Sequence, residues 1–210
     1  MIQSKYFKTF NDAYKASIIA VDQFGVKQRS RNGEMKELVN TSFCIPLGYD
    51  STTCTIDQRN LSEKYAVAES LWLFSGARCG NILKNWAPNY DKYLESDGKA
   101  YWAYGARCVN WFPHLAKLLS KDPNTRRAVV NIWSNDDIER SIYEDVKDVP
   151  CLVSLQFFVR GRCLDLRITQ RSQDVWLGFP NDIFIYNTIG EVMAGELGLN
   201  LGKLYYSCGS

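Results

Sequence analysis

Residues 152–169, LVSLQFFVRGRCLDLRIT, decide the fold. Two runs of β-prone side chains, 152–159 and 163–169, flank Arg160-Gly161-Arg162, which predicts a β-hairpin with glycine in its turn. In the second run Leu164, Leu166 and Ile168 share one face, while Asp165, Arg167 and Thr169 share the other. That alternation belongs to a strand with one face in a core. Past Pro180 the period changes: over 182–197, Ile185, Ile189, Val192 or Met193, and Leu197 return at helical spacing. Upstream, 127–133 (RAVVNIW) predicts another strand, and Pro113 suits the start of a helix over 112–120. Residues 64–75 (KYAVAESLWLFS) predict a helix that is apolar nearly all round and therefore buried. Residues 85–110, rich in Tyr, Trp, Gly and Asn, predict an ordered loop region, and 38–47 a strand. Residues 26–35 (VKQRSRNGEM) predict a polar, basic surface loop. Before it, Phe7, Phe10, Tyr14, Ile18 and Val21 predict a helix stopped at Gly25. The mixture is α+β, with one large sheet and helices packed on it.

The 210 residues suit one domain, with no internal repeat or linker to divide them. Apolar residues at 46% and charged residues at 23% allow a sizeable core. Twenty-five basic residues against 23 acidic ones leave a formal charge of +2, which excludes a strongly basic nucleic-acid binder but not a local phosphate site. No apolar run approaches the roughly 20 residues that cross a bilayer. The opening MIQSKYFKTFNDAYK has no apolar signal region. Seven cysteines without a CxxC pair, and a single histidine, argue against a disulfide framework or a zinc site. The expectation is a cytoplasmic protein with reduced thiols and no metal.

Several residues could carry chemistry. Cys151, after Pro150 at the head of a strand, is either a small buried hydrophobe or a nucleophile. As a nucleophile it would need cations nearby to lower its pKa, and Arg126, Arg127 and Arg171 are the candidates. With Ser172 those arginines supply forked donors and a hydroxyl, the chemistry of a phosphate site; the alternative for Arg126-Arg127 is a solvated strand edge. Glu69 lies inside an apolar segment, so it faces a cavity or has a committed partner. Asp174 and Asp182 flank Gly178-Phe179-Pro180-Asn181, and Asp182 could serve as a helix N-cap. Nothing around His114 suggests a ligand set.

At 122–127 (DPNTRR), 150–156 (PCLVSLQ) and 170–182 (QRSQDVWLGFPND) the chain resembles the thymidylate synthase superfamily, with further matches at ESLWLFSG around Glu69 and at Tyr104-Gly105. The resemblance runs from about residue 20 onward. It implies a single thymidylate synthase-like domain over 1–210, a mixed sheet with helices on one side, and a homodimer formed through the sheet face. It also implies transfer of a one-carbon unit from 5,10-methylenetetrahydrofolate to C5 of a pyrimidine nucleoside monophosphate. Carried over by motif, Cys151 would attack C6 of the base, and Glu69, with Tyr104 nearby, would organise water and move protons. Arg171 and Ser172 would hold the 5′-phosphate, with Arg126 and Arg127 reaching across from the partner. Arg31, or its rival Arg29, would match the family's loop arginine. Asp182 and Gln170 would face the base, while Trp86, Asp174, Leu177 and Gly178 would line the folate pocket.

The departures from the pattern narrow the substrate. Where synthases carry an asparagine that reads uracil, this chain has Asp182, within Gly178-Phe179-Pro180-Asn181-Asp182. A carboxylate sets negative oxygen against uracil O4, but against cytosine it accepts from the exocyclic amine and shares a proton with N3. That proton also neutralises charge pushed into the ring as Cys151 attacks. The pattern is similar to phage-type deoxycytidylate (dCMP) hydroxymethylases, and Leu152 replaces the histidine usual after the nucleophile in synthases. The resemblance therefore implies a hydroxymethyltransferase making 5-hydroxymethyl-dCMP, in host cytoplasm if phage-encoded. The alternatives are a CMP hydroxymethylase, a thymidylate synthase acting on dUMP, and a non-catalytic nucleotide-binding relative. Trp86, similar to the residue that shields the transferred carbon in synthases, leans towards the synthase. The chain also stops at Ser210, where the family continues with a His and Tyr that hold the ribose and with a tail over the folate; a domain lacking that segment could fold without turning over.

Overall fold

Eight strands and seven α-helices follow one another along residues 5–30 and 33–210, which this computed structural model describes. In chain order they are β1 (Lys5–Tyr6), α1 (Phe10–Phe24), β2 (Val26–Ser30), β3 (Gly33–Glu37), β4 (Thr41–Pro46), the single turn α2 (Tyr49–Thr52) and α3 (Glu63–Ser75). After a run of short 3₁₀ turns come α4 (Tyr104–Cys108), α5 (Phe112–Lys121), β5 (Val129–Asn131) and α6 (Asp136–Tyr143). The chain continues with β6 (Leu152–Arg160), β7 (Cys163–Gln170), α7 (Phe179–Leu197) and β8 (Asn200–Cys208).

Local signals set most of these boundaries. Thr9 caps α1 by accepting the Asp12 N–H, and Ser62 caps α3 by accepting that of Tyr65. Gly76 and Gly198 end α3 and α7 in the left-handed conformation. Gly161, at φ 62°, turns the β6–β7 hairpin that the alternation predicts.

Six strands form a mixed sheet in the order β1-β4-β8-β7-β6-β5. β6 runs antiparallel to β5 and β7, and β8 lies parallel to β7 and antiparallel to β4. Crossing from β7 to a parallel β8 requires a long connection, which α7 supplies. Leu164, Leu166 and Ile168 are fully buried with Leu155, Phe157 and Leu204, and Ile185, Ile189 and Met193 of α7 join the same core. Helices α1, α5 and α7 thus cover one side of the sheet. On the other, Gln156, Phe158, Arg167 and Thr169 keep part or all of their exposure. A smaller cluster of Trp72, Leu83, Tyr90 and Leu94 sits beneath the 77–103 segment.

Three expectations need correction. Residues 26–30 and 33–35 are not loop: β2 and β3 pair as exposed antiparallel strands, from Val26 opposite Glu37 to Ser30 opposite Gly33. These strands are polar because neither face meets the core. Helix α3 is not buried all round, since Val67 and Leu71 are 47% and 67% exposed while Ala66, Ser70, Trp72 and Leu73 face inward. The 85–110 stretch is not all loop: it carries a 3₁₀ turn at Pro88–Tyr93 and the short helix α4.

Candidate active site

Several elements bring Glu69, Tyr104 and Cys151 within electrostatic reach of Asp182. Glu69 comes from α3, Tyr104 from the first residue of α4, Cys151 from the residue before β6, and Asp182 from the first turn of α7. Each is partly accessible rather than sealed in the core. Gly105 permits the approach of α4 to α3: a Cβ there would lie 1.9 Å from the Leu73 carbonyl oxygen. The absent side chain lets the two helices pack closely beside Tyr104.

Glu69 accepts a hydrogen bond from the Tyr65 hydroxyl at 2.9 Å and a longer one from Tyr90 at 3.5 Å. Burial, reinforced by the Asp182 charge, pushes its carboxyl up to about 8 against these hydroxyls. A carboxyl raised in this way can take up and release a proton near neutral pH. Its committed partners and its accessible position hold together.

Asp182 is not the N-cap of α7. Gly178 has that place, and the Asp182 backbone N–H donates to its carbonyl at 2.9 Å. The carboxylate instead accepts from Gln173 Nε2 at 2.9 Å and from Gln170 Nε2 at 3.5 Å. Burial pushes it up to about 6, with the two amides working the other way. Gln170 is 2% exposed, also donates to the Tyr186 hydroxyl, and keeps a buried Oε1 that has no partner among the described residues, an acceptor open to a ligand N–H.

The Arg171 guanidinium lies beside the Cys151 thiol, with Nη2 at 3.6 Å from Sγ. Its Nε donates to the Pro150 carbonyl at 2.8 Å and its Nη2 to that of Val149 at 3.1 Å, so this cation also shapes the turn that presents the thiol. Burial pushes Cys151 up to about 11; Arg171 opposes the rise, and the Asp148 and Asp182 charges add to it. Ser172, at the exit of β7, is half-buried. Arg126 and Arg127 precede β5 and are exposed, with Arg127 3.7 Å from Asp122. Arg31 lies outside the described residues, and Arg29 is exposed on β2.

Three large apolar side chains are exposed. Trp86, Trp176 and Leu177 are 40%, 55% and 56% exposed. Asp174 turns the chain there: its Oδ1 accepts the Trp176 and Leu177 N–H groups at 2.9 and 2.8 Å. His114 is exposed on α5, 5.8 Å from the Trp111 ring. Sequence reasoning missed Tyr65, Tyr90, Gln173, Tyr186 and Tyr206. Of these only Gln173 carried a signal, as the variable position inside QRSQD.

Residues 12–210 match the family model described as Thymidylate synthase. The chain is 32% identical over 170 residues to "Deoxyuridylate hydroxymethyltransferase" of Bacillus phage SP01, covering 73% of this chain and 44% of that protein. It is 25% identical over 164 residues to "Thymidylate synthase" of Bacillus subtilis subsp. natto, covering 72% and 57%. The same identity and length relate it to the Bacillus atrophaeus protein of that name, covering 72% and 70%. The chain thus spans about half the length of the first two relatives. Among solved structures, thermostable thymidylate synthase A from Bacillus subtilis superposes with a TM-score of 0.72 at 21% identity, over 96% of this chain and 78% of that one.

Proposed function

The chain belongs to the thymidylate synthase family, and from that premise we propose that it is a folate-dependent pyrimidine-nucleotide C5 hydroxymethyltransferase whose substrate is dCMP. The observation that carries this reading is Asp182: a partly accessible carboxyl pushed up to about 6 at the position where synthases use an amide. Near neutral pH such a group can hold or release the proton that cytosine N3 shares. The relative named for hydroxymethyl transfer supports the fate of the carbon, addition of water rather than reduction.

Cys151 attacks C6 of the pyrimidine, and the ring gains nucleophilic character at C5. The thiol must lose its proton for this, and the Arg171 guanidinium at 3.6 Å favours the thiolate. Asp182 holds its proton against N3 and limits the charge that builds on the ring. When bound, methylenetetrahydrofolate supplies the carbon at the formaldehyde oxidation level. The exposed Trp86, Trp176 and Leu177 fit a flat, largely apolar ligand, and Asp174, with Oδ1 committed to backbone N–H groups, has Oδ2 to offer a pterin N–H. Loss of the C5 hydrogen as a proton would accompany departure of tetrahydrofolate. Glu69, pushed up to about 8, takes a proton from the water whose oxygen then bonds to the methylene carbon, and breaking the C6–S bond restores the C5–C6 double bond and the Cys151 thiolate. Arg171 and Ser172 hold the 5′-phosphate together with Arg126 and Arg127 of a second protomer; the exposure of that pair supports their reaching outward.

A second reading has a specific observation behind it: the phage relative's name specifies deoxyuridylate. Incubating the protein with methylenetetrahydrofolate and dCMP, CMP or dUMP, and weighing the products by mass spectrometry, separates the two. The dCMP reading expects a hydroxymethyl product from dCMP, and expects Asp182→Asn to move the preference towards dUMP by roughly a hundredfold, the size of a reversed pair of hydrogen bonds. A hydroxymethyl product from dUMP alone would transfer the protein to the deoxyuridylate branch. A methyl product would make it a synthase.

A further inference from the structure

Both hydrogen bonds to Asp182 end on the same oxygen, Oδ2: Gln173 Nε2 at 2.9 Å and Gln170 Nε2 at 3.5 Å. The Gln173 amide is oriented by its other end, where Oε1 accepts the Tyr206 hydroxyl at 3.0 Å. Reversing the amide would set Oε1 against a carboxylate oxygen and Nε2 against a hydroxyl hydrogen. Tyr206 is 3% exposed, with its ring 4.9 Å from that of Phe43 and 5.1 Å from that of Phe179. The Gln173 backbone is fixed as well, its N–H donating to the Ser210 carbonyl at 2.9 Å. Gly178 leaves room for the bridge, since a Cβ there would come within 3.3 Å of Gln173 Nε2 and 3.5 Å of Asp182 Oδ2.

Resting on the reading that Asp182 faces the pyrimidine edge, we propose that Gln173 is a specificity-determining positioning residue: it confines the Asp182 proton to Oδ1, and so makes the carboxyl read cytosine rather than uracil. A neutral carboxyl has one donor oxygen and one acceptor oxygen. With the proton on Oδ1, the hydroxyl donates to the N3 lone pair of cytosine and Oδ2 accepts from the 4-amino group. With the proton on Oδ2, the same side chain would accept from uracil N3–H and donate to O4, which is the pattern of asparagine. Two amide N–H groups aimed at Oδ2 oppose that second form, because protonating the oxygen would sacrifice one of them. The other groups electrostatically coupled to Asp182 do not make this choice. Tyr65 and Glu69 on α3, Tyr104 on α4 and Cys151 before β6 are all acids, as are Tyr186 on α7 and Tyr206 and Cys208 on β8.

The test measures dissociation constants for dCMP and dUMP from about pH 5.5 to 8.5, across the range where a raised carboxyl titrates. Tryptophan fluorescence reports binding, so turnover is not required. The wild type should favour dCMP, increasingly so as the pH falls and Asp182 takes up its proton. Gln173→Met, similar in length but without the amide, should narrow the dCMP-over-dUMP ratio about tenfold, the scale of one hydrogen bond to a charged group. It should also move the midpoint of the pH dependence upward, because the lost N–H favoured the ionised form. An equal loss of both affinities, or an unchanged ratio, would overturn the proposal. Tyr206→Phe keeps the ring packing but removes the hydroxyl that holds Oε1, leaving Nε2 to divide between Asp182 and the Asp174 carbonyl at 3.4 Å, and should narrow the ratio in the same direction. If Gln173→Met does not fold, this variant decides by the same criterion. A wild-type preference for dUMP would refute the reading of Asp182 itself, and the role of Gln173 with it, whatever the variants do.

Discussion

Glu69 and Asp182 are two carboxyls that the fold holds above their ordinary range, at about 8 and about 6. In an unfolded chain both titrate near pH 4. Between roughly pH 4 and 8 the folded protein therefore binds more protons than the unfolded one. Its stability from these groups is complete below the unfolded pKa and is lost as the pH rises through the folded values. The thermal midpoint should fall by several degrees between about pH 5 and 8.5, and Glu69→Gln should remove the larger share of that fall because Glu69 is displaced further. Differential scanning calorimetry at a series of pH values checks this; a midpoint that climbs with pH would count against two raised carboxyls. The same site shows where sequence reading stops. Glu69 was legible as a carboxylate out of place in an apolar run, and Cys151 as a thiol at the head of a strand. Tyr65, Tyr90 and Tyr206 were not, because a tyrosine beside apolar neighbours is an ordinary core residue until folding sets its hydroxyl against a particular acceptor.

At the scale of elements, the β6–β7 hairpin was readable because each strand has one wet and one dry face, so a period of two survives in the sequence. The β2–β3 pair has no dry face, leaves no such period, and reads as a loop. β8 escaped notice because glycine and lysine interrupt its apolar positions, which only its neighbours β4 and β7 make coherent. Helix α6 was missed for another reason: what anchors it is an ion pair. Arg107 on α4 grips both oxygens of Asp137 at 2.6 and 2.7 Å, with side chains only 14% and 2% exposed, and also donates to the carbonyls of Tyr101 and Ile132. Burial works against the Asp137 charge, yet Arg107 and the Ser134 N–H hold its carboxyl below the usual range. Arg107→Ala should cost about 3–5 kcal/mol, because it strands a buried carboxylate. Urea unfolding measures the loss. A change below about 1 kcal/mol, the worth of a surface pair, would show that the bridge carries little.

For the whole molecule, the prediction concerns how many chains make one site. If Arg126 and Arg127 of one protomer complete the phosphate site of the other, a Cys151→Ser chain and a chain with both arginines changed to alanine are each inactive, but they complement. Random reassortment after equal mixing makes half the dimers hybrid, each with one complete site, so about a quarter of wild-type activity should return. Turnover assays before and after mixing decide it; no recovery would mean that each chain builds its phosphate site alone.

The order of the sheet has a consequence for biosynthesis. β8 is inserted between β4 and β7, pairing Thr41 with Cys208 on one side and Gln170 with Cys208 on the other. A ribosome making the chain releases β4 on the order of ten seconds before β8 exists. Throughout that interval β4 has only the two-residue β1 beside it in the sheet. Phe43 and Ile45, both buried in the finished core, are meanwhile available to any passing strand. The nascent chain is thus most vulnerable to mispairing in its first strands, and yields in a cell should respond to translation speed and to chaperones that shield residues 41–46 more than to changes in the hairpin that made the fold readable.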